Sequence, residues 1–307
     1  MAASIFLKSI AKKINNKSVI ANLDFGLQNG DRLAVIGANG CGKTPLLKIV
    51  AGIVDADSGQ IFIDGEEFNS KKYDLRKKIC YIADYIDFDD NLNLIDNLYI
   101  YLRLNTVYSK KESIDLINHW STVFNFNKLL KSKINSISQS KLRLIQLCKV
   151  FMHNPNFLVL DQPTLGLDPE HKTWFWNTVN SVLKSSTIVY SSQDFDEIQN
   201  YSNRIVFLSE GNIRLNGTIK DIMEKTKEYG RYSIEFTDKV NADLLTAMQE
   251  NSDLYHLKID HNKVEFYTPN KKTFFDLIRK SIDYGLVDFK TDSFNLKDVF
   301  LAQVKKI

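Results

Sequence analysis

The sequence from residue 32 to residue 50, RLAVIGANGCGKTPLLKIV, runs from an apolar strand through a glycine-rich turn into an apolar helix. Residues 37–44, GANGCGKT, fit the pattern G-x-x-x-x-G-K-[ST] in the strand–loop–helix context that this motif requires. Glycines let backbone N–H groups close around phosphate oxygens, and the N-terminus of the helix adds positive potential. The stretch therefore predicts a phosphate-binding loop rather than a chance glycine-rich turn.

Each position of this loop has a predicted role. We expect nucleotide contacts from Gly37, Asn39, Gly40, Cys41, Gly42, Lys43, Thr44 and Pro45. Lys43 would reach the β- and γ-phosphates, and the Thr44 hydroxyl would ligate Mg²⁺. Pro45 has no backbone N–H to offer a phosphate, although proline is tolerated in the first turn of a helix. We therefore expect the helix to form and one ligand hydrogen bond to be lost, worth about 0.5–1.5 kcal/mol.

Composition limits the class of protein. The chain has 307 residues, 44% hydrophobic and 25% charged, which suits one large domain and one small domain. Its net charge of +3 comes from interspersed charges of both signs and does not point to nucleic acid. Cys41, Cys80 and Cys148 have no pairing or metal-ligand spacing, so we predict reduced thiols in a cytosolic protein. No stretch of about 18 apolar residues occurs, and we predict no membrane span.

The first 23 residues are basic, with Lys8, Lys12, Lys13 and Lys17 and no acidic residue. A basic segment of this kind is compatible with a mitochondrial transit peptide. The same residues also fit two strands, because SIFLKSI alternates and VIANLDFGLQNG ends in a turn. We favour the two strands.

Strands and helices alternate along most of the chain. Apolar strands are predicted at 32–37, 59–65, 157–161 and 187–192, with helices over roughly 91–131 and 139–152. This alternation predicts an α/β domain over residues 1–220, with a helical subdomain at about 88–152 and ligands at the carboxyl ends of the strands. Residues 221–307 have a β-α-β-β-α-β order, which predicts a small ferredoxin-like α+β domain.

A second motif lies at residues 158–169, LVLDQPTLGLDP, where an apolar strand ends at Asp161 and Gly-Leu-Asp follows. It resembles the Walker B strand and D-loop of an ATP-binding-cassette (ABC) ATPase, and the resemblance covers roughly residues 3–220. Residues 296–300, LKDVF, are similar to the end of the C-terminal domain of ABC-2-type exporter ATPases. The resemblance implies a P-loop NTPase fold of the ABC type that binds ATP and Mg²⁺, with Asp161 in the Mg²⁺ shell.

The sequence departs from the family at the positions that drive hydrolysis. The catalytic glutamate of the family aligns with Gln162, and the switch histidine aligns with Gln193. A glutamine cannot accept a proton at neutral pH, and the loss of a general base costs about 10²–10⁴-fold in rate. Because the other motifs depart as well, we interpret Gln162 as natural degeneration rather than an engineered ATP trap.

Binding positions depart from the family too. The Q-loop glutamine, a Mg²⁺ ligand, aligns with Asp84, and the adenine-stacking aromatic residue aligns with Ile14. The signature Leu-Ser-Gly-Gly-Gln aligns with residues 137–141, ISQSK, which keep Ser138 but replace the glycines by Gln139 and Ser140. Side chains at these two positions would obstruct the approach of a partner's γ-phosphate.

The resemblance implies two partners: a multi-span membrane permease, and a second ABC ATPase subunit, identical or different. We expect a peripheral protein on the cytoplasmic face of a membrane that does not act on nucleic acid. Two functions remain open. One is an ATP-binding transporter subunit with weak or absent hydrolysis; the other is a non-hydrolysing structural or regulatory ABC protein in a membrane-associated assembly. A soluble cassette acting on ribosomes or DNA is disfavoured, because neither a second cassette nor a coiled-coil insertion is visible.

Overall fold

The computed structural model describes residues 4–225, 229–292 and 295–304. The chain divides into two compact units, Met1–Asn216 and Gly217–Ile307. The boundary read from the sequence lies at residue 220. Each unit is described separately below.

The first unit has ten strands and seven α-helices within its described part. The strands are β1 (Ile5–Ile14), β2 (Lys17–Leu27), β3 (Arg32–Ile36), β4 (Ser58–Ile63), β5 (Glu66–Phe68), β6 (Ile79–Ile82), β7 (Phe157–Leu160), β8 (Thr187–Ser191), β9 (Arg204–Ser209) and β10 (Asn212–Thr218). The helices are α1 (Lys43–Val50), α2 (Tyr73–Arg76), α3 (Leu94–Asn105), α4 (Lys110–Val123), α5 (Gln139–His153), α6 (Pro169–Val182) and α7 (Phe195–Tyr201). Strand β10 ends two residues inside the second unit.

The central sheet has the strand order β10-β9-β3-β8-β7-β6. The pairs β9–β3, β3–β8, β8–β7 and β7–β6 are parallel. Strands β7 and β8 are buried along their whole length, as expected for apolar runs inside a parallel sheet. The carboxyl ends of parallel strands share one edge, so the residues that follow β3, β6, β7 and β8 meet there.

A second, antiparallel sheet has the order β2-β1-β4-β5 and contains the basic N-terminal segment. Strands β1 and β2 are joined at Asn15 and Asn16, whose φ angles are 50° and 62°. Positive φ at both central residues is typical of the tight hairpin turn that matches strand twist. Residues 5–27 therefore form a hairpin, the interpretation that we favoured for this segment.

The helical part of this unit consists of α3, α4 and α5, which pack on one another. The long helical run predicted at 91–131 is interrupted, because Ser109 and Glu112 form a capping box that starts α4. Between α4 and α5 the chain forms two short 3₁₀ helices, Asn127–Leu129 and Ile134–Ser136. Phe175 and Trp176 of α6 are fully buried and belong to the core of this unit.

The second unit contains α8 (Ile219–Lys225), β11 (Gly230–Phe236), α9 (Ala242–Gln249), β12 (Tyr255–Asp260), β13 (Lys263–Thr268), α10 (Lys271–Ile282), β14 (Leu286–Asp292) and α11 (Leu296–Val304). Its sheet has the order β12-β13-β11-β14, and all neighbouring strands are antiparallel. The core of this unit lies between the sheet and the helices α9 and α10, around Ile234, Phe266, Met248 and Phe274.

Across the described residues, no helix combines the length and the apolar character that crossing a membrane requires.

Candidate nucleotide-binding site

The glycine-rich loop connects β3 to α1 and has the backbone that only glycine adopts easily. Gly40 and Gly42 have φ angles of 77° and 110°. A Cβ on Gly42 would lie 2.5 Å from the Val19 carbonyl oxygen, and one on Gly37 would lie 2.3 Å from the Leu208 carbonyl oxygen. A Cβ on Gly40 would meet nothing within 4 Å. The loop is therefore held tightly at its two ends and is open at its middle, as a phosphate cradle requires.

Lys43 begins α1 and folds back over this loop. It is 6% exposed, and its Nζ donates to the carbonyl oxygens of Gly37 at 2.7 Å and Ala38 at 2.8 Å. The third N–H of the ammonium has only Cys41 Sγ, at 4.0 Å. Burial raises the pKa of the Cys41 thiol more than Lys43 lowers it, so the thiol is neutral. The loop thus presents a cation and no opposing anion.

Pro45 costs the helix no hydrogen bond. It is the third residue of α1, and the first bond of the helix runs from the Leu46 nitrogen to the Gly42 oxygen at 3.0 Å. The nitrogen of the third helical residue has no intrahelical partner in any α-helix. The effect of Pro45 is therefore confined to whatever binds at the helix N-terminus.

Asp161 follows β7 and is completely buried. Its Oδ1 accepts a 2.6 Å hydrogen bond from Ser191 Oγ, whereas its Oδ2 has no partner in the protein. A buried carboxylate oxygen without a partner is rare, and a cation ligand is one of the few explanations for it. The donor set fits Mg²⁺, which binds through one or two carboxylates and keeps waters and phosphate oxygens. The described residues contain no group of three His, Cys, Asp or Glu that would hold a metal alone.

Ser191, at the end of β8, also fixes the residue after Asp161. Its Oγ accepts a 2.9 Å hydrogen bond from the backbone nitrogen of Gln162. Gln162 has a φ of 44°, a left-handed conformation that costs a non-glycine residue about 1–2 kcal/mol. Sequence reasoning missed Ser191, although a small hydroxyl residue at the end of a buried parallel strand is a usable signal.

Gln193 follows β8 and is joined to the phosphate loop. Its Nε2 donates a 2.7 Å hydrogen bond to Asn39 Oδ1. Gln162 and Gln193 also line one cleft of about 230 Å³, together with Thr164, Leu165, Gly166, Lys172, Ser192, Asp194 and Glu197. The structure therefore brings Gln162 and Gln193 together beside the loop.

The carboxylates of this cleft are already engaged. Glu197 accepts hydrogen bonds from Thr164 Oγ1 at 2.8 Å, Ser192 Oγ at 2.6 Å and Trp176 Nε1 at 2.5 Å. Asp194 pairs with Lys172 at 3.0 Å. Burial pushes the pKa of Asp194 up, but the hydrogen bonds from Lys172 and from backbone amides outweigh it, so the pKa lies below its usual value. Both carboxylates are therefore held by neighbouring side chains.

Arg143, which sequence reasoning did not single out, ties α5 to the site. Its guanidinium is buried and donates to the carbonyl oxygens of Ala83 at 2.6 Å, Gln162 at 2.8 Å and Pro163 at 3.2 Å. Burial lowers the pKa of Arg143, and nearby carboxylates led by Asp84 oppose that effect. One side chain thus holds the segments after β6 and β7 against α5.

Two further polar residues on the same face of α5 extend this contact. Gln146 Nε2 donates to the Tyr85 oxygen at 2.7 Å and to Asp87 Oδ1 at 3.0 Å. Lys149, also buried, donates to Asp87 Oδ1 at 2.7 Å. Arg143, Gln146 and Lys149 follow one another at a spacing of three residues, which makes them neighbours on the surface of the helix.

The remaining predicted residues lie at the margins. Asp84 is exposed directly after β6, and Ile14 is 44% exposed at the end of β1. Ser138 precedes α5 as its N-cap residue, and Gln139 and Ser140 form the exposed first turn of that helix. These three residues therefore face solvent.

The sequence is similar to those of known ATP-binding proteins. Residues 20–165 match the ABC transporter family model. The Nod factor export ATP-binding protein I of Burkholderia thailandensis is 26% identical over 223 residues, covering 72% of this chain and 73% of that protein. The linearmycin resistance ATP-binding protein LnrL of Bacillus subtilis is 24% identical over 222 residues, covering 71% and 70%. An import protein is also similar: the spermidine/putrescine import ATP-binding protein PotA of Pasteurella multocida is 26% identical, covering 80% and 67%.

Solved structures show the same fold. A structure of the ATP-binding subunit of an ABC transporter superposes with a TM-score of 0.66 at 22% identity, covering 73% of this chain and 93% of that chain. The dimeric structure of the bacterial ABC transporter cassette MJ0796 gives a TM-score of 0.63 at 20% identity, covering 70% and 98%.

Proposed function

We propose that this chain, whose sequence is similar to ATP-binding subunits of ABC transporters, binds Mg-ATP at a dimer interface and couples to a membrane permease, with weak or absent hydrolysis of its own. One contrast carries the proposal. The phosphate loop and a buried carboxylate oxygen without a partner are in place, whereas the position of the general base holds Gln162. The chain therefore keeps the groups that hold a nucleotide and lacks the group that activates water.

In this proposal residues 37–45 cradle the phosphates through backbone N–H groups and Lys43. Thr44, Asp84 and Asp161 would hold Mg²⁺. The cation would neutralise phosphate charge. Ile14 would contact the base without stacking, and we expect weaker affinity than an aromatic residue gives.

Gln162 and Gln193 would help to hold ATP and would not help to hydrolyse it. A carboxamide can orient a water molecule by hydrogen bonding but cannot take its proton at neutral pH. The bond from Gln193 to Asn39 keeps the amide of Gln193 at the phosphate loop. Bound ATP would therefore persist and favour the closed dimer.

A groove of about 620 Å³ supports the permease partner. It is lined by two carboxylates together with apolar and amide side chains, and its lining residues are Asp84, Tyr85, Ile86, Phe88, Asp90, Ile134, Asn135, Ile137, Gln139 and Leu142. A short amphipathic helix with basic residues, from a cytoplasmic loop of the permease, fits this surface. Gln139, in the first turn of α5, is one of the lining residues. A partner docked in the groove would therefore contact the signature segment at residues 137–141.

The dimer partner supplies the other half of the site. Ser138, Gln139 and Ser140 are exposed at the N-terminus of α5, where a partner's phosphates could approach. The two side chains in place of glycine would weaken that contact. Either an identical chain or a different cassette satisfies this arrangement, and a different cassette would bring its own catalytic glutamate.

We place the chain among ABC-2-type exporter ATPases, with a cassette over residues 1–220, including a helical subdomain at about 88–152, and a ferredoxin-like domain over 221–307. The strand order and alternation of the second unit support the ferredoxin-like assignment. The similarity to two export or resistance proteins supports the exporter class. The working location would be the cytoplasmic face of a membrane.

Nucleotide titration of the purified chain tests the proposal. We expect Mg-ATP binding that a Lys43→Ala variant weakens by about tenfold or more, since a charge-assisted contact is worth about 1.5–3 kcal/mol. We also expect steady-state turnover well below about 1 s⁻¹, the lower end of the usual enzyme range. Turnover in that range, or unchanged affinity in the variant, would refute it.

The second candidate, a non-hydrolysing structural or regulatory ABC protein, is favoured by the engaged carboxylates around Gln162. Co-purification separates the two. A multi-span permease retained with the chain, together with ATP-dependent transport in vesicles, supports the transporter subunit. An assembly that is stable and complete with a Lys43→Ala chain supports the structural role.

A further inference from the structure

The second unit exposes an apolar patch along one edge of its sheet. Strand β14 is the last strand of this sheet, and all its residues from Val287 onward are exposed. Val287 is 62% and Phe289 is 49% exposed, and on the neighbouring helix α10 Phe275 and Ile282 are 57% and 62% exposed. Among the described residues, no strand pairs with the far side of β14. We refer to these four residues and β14 as the β14 edge.

One main-chain N–H at this edge has a hydrogen-bond acceptor although no strand of the described residues lies beyond it. Phe289 is opposite Ile234 of β11, yet its N–H donates at 2.8 Å to Oδ1 of Asp288, the residue before it. A side chain that takes a strand amide in this way substitutes for the carbonyl of an adjoining strand. Free N–H and C=O groups at a sheet edge are a template for pairing with another chain.

The charges along β14 are self-complementary. Asp288 and Lys290 flank Phe289, and their side chains lie 3.8 Å apart within the chain. If a second β14 paired antiparallel with its twofold axis at Phe289, Asp288 of each copy would face Lys290 of the other. The two Phe289 rings would face each other at the centre. Opposite charges and aromatic rings are favourable cross-strand pairs, whereas a two-residue change of register, with the twofold axis at Asp288 or Lys290, would place like charges opposite each other.

We propose that the β14 edge is a self-association surface, on which a second copy of this chain adds its own β14 in antiparallel register centred on Phe289. The Phe289 N–H would then donate to the carbonyl of the second strand, which frees Asp288 for Lys290 of that copy. The alternating charges favour a second copy over an unrelated strand, because Asp288 and Lys290 lie opposite each other when two identical strands pair antiparallel. This contact is independent of the nucleotide site, so it forms in the nucleotide-free chain.

Disulfide trapping tests the register in the full chain without nucleotide. Opposite residues of an antiparallel pair have Cα atoms about 5.5 Å apart, within the range that a disulfide bridges. We expect Phe289→Cys to form a cross-linked dimer under mild oxidation. Thr291→Cys is the matched control, because its copy would lie about 13 Å away along the strand. Equal cross-linking of both variants, or of neither, would overturn the proposed register.

Charge exchange tests the pairing itself by sedimentation. Asp288→Lys and Lys290→Asp should each weaken the dimer by about tenfold, because each creates like-charge pairs across the twofold axis. The double variant D288K/K290D should restore it, since the exchanged charges are again complementary. Both positions are exposed, so thermal unfolding should not change. A wild-type chain that stays monomeric at about 100 µM, where weak pairings are populated, or a double variant as weak as the single ones, contradicts the proposal.

Discussion

Ser191 Oγ donates a 2.6 Å hydrogen bond to Asp161 Oδ1 and thereby leaves Asp161 Oδ2 as the only carboxylate oxygen of that residue without a protein partner. The same hydroxyl accepts from the Gln162 nitrogen. It therefore aims the carboxylate and holds the next residue in its left-handed conformation. One buried hydroxyl thus fixes both the carboxylate of Asp161 and the backbone of Gln162.

Ser191→Ala should lower both stability and Mg-ATP affinity. The change leaves two buried polar groups unpaired, at a cost of about 1–3 kcal/mol for each. We expect the affinity for ATP to fall about tenfold in the presence of Mg²⁺ and little in EDTA, by isothermal titration calorimetry. Ser186→Ala is the matched control, since Ser186 Oγ donates a 2.6 Å bond to the Pro155 oxygen and is equally buried. A control variant that loses Mg-ATP affinity to the same extent would assign the effect to folding alone.

Gln162→Glu should restore a base without disturbing the backbone. The Gln162 backbone is held by Ser191 and Arg143, so a glutamate of equal length would occupy the same position. We expect single-turnover hydrolysis to rise by about 10²-fold or more over the wild-type chain, the low end of what a general base contributes. Gln162→Ala should give no rise. If Gln162→Glu stays as slow as Gln162→Ala, the missing base is not what limits the chain.

Much of the cassette could be predicted from local sequence. The phosphate loop is a short motif whose glycines are required where they stand, as the 2.5 Å approach of a Gly42 Cβ to Val19 shows. The apolar strand before Asp161 is also local, because a strand buried on both faces needs apolar residues throughout. The order of strands and helices in the second unit followed from the same periodicity.

The contacts of α5 could not be predicted in this way. Arg143 was an ordinary helix residue in the sequence, and its partners are carbonyl groups some 18 to 60 positions away. Every residue has a main-chain carbonyl, so the sequence contains no motif that identifies these acceptors. The break between α3 and α4 was missed for a different reason: a capping box at Ser109 overrides a continuous apolar spacing.

Arg143→Met should loosen the segments after β6 and β7. The substitution removes the guanidinium donors, which leaves the buried carbonyls of Ala83 and Pro163 without a donor and the Gln162 carbonyl with the Leu165 N–H alone. We expect a loss of about 2–4 kcal/mol in the free energy of unfolding by urea titration, since several acceptors lose their partner together. Amide hydrogen exchange should become faster at residues 83–87 and at residues 161 and 162. Arg103→Met, at an exposed position of α3, should change neither the stability nor the exchange. Protection at residues 83–87 that survives the Arg143 change would contradict the link from these residues to α5.

His153 makes the stability of the first unit dependent on pH. Its Nε2 donates to the Lys77 oxygen at 2.8 Å, and its Nδ1 accepts from the Tyr101 hydroxyl at 3.0 Å, so the buried ring is neutral. Burial lowers its pKa below that of an unfolded histidine, about 6.5, more than the bond to Lys77 raises it.

In the pH range below about 6.5 the unfolded chain therefore binds a proton that the folded chain does not, and stability falls as the pH falls, by at most about 1.4 kcal/mol per pH unit. His153→Gln, which retains a donor and an acceptor but does not titrate, should flatten this slope in urea unfolding between about pH 7 and pH 5.5. The exposed His119→Gln variant should keep the wild-type slope. A slope that is identical in wild type and His153→Gln would show that the ring does not remain neutral in the fold.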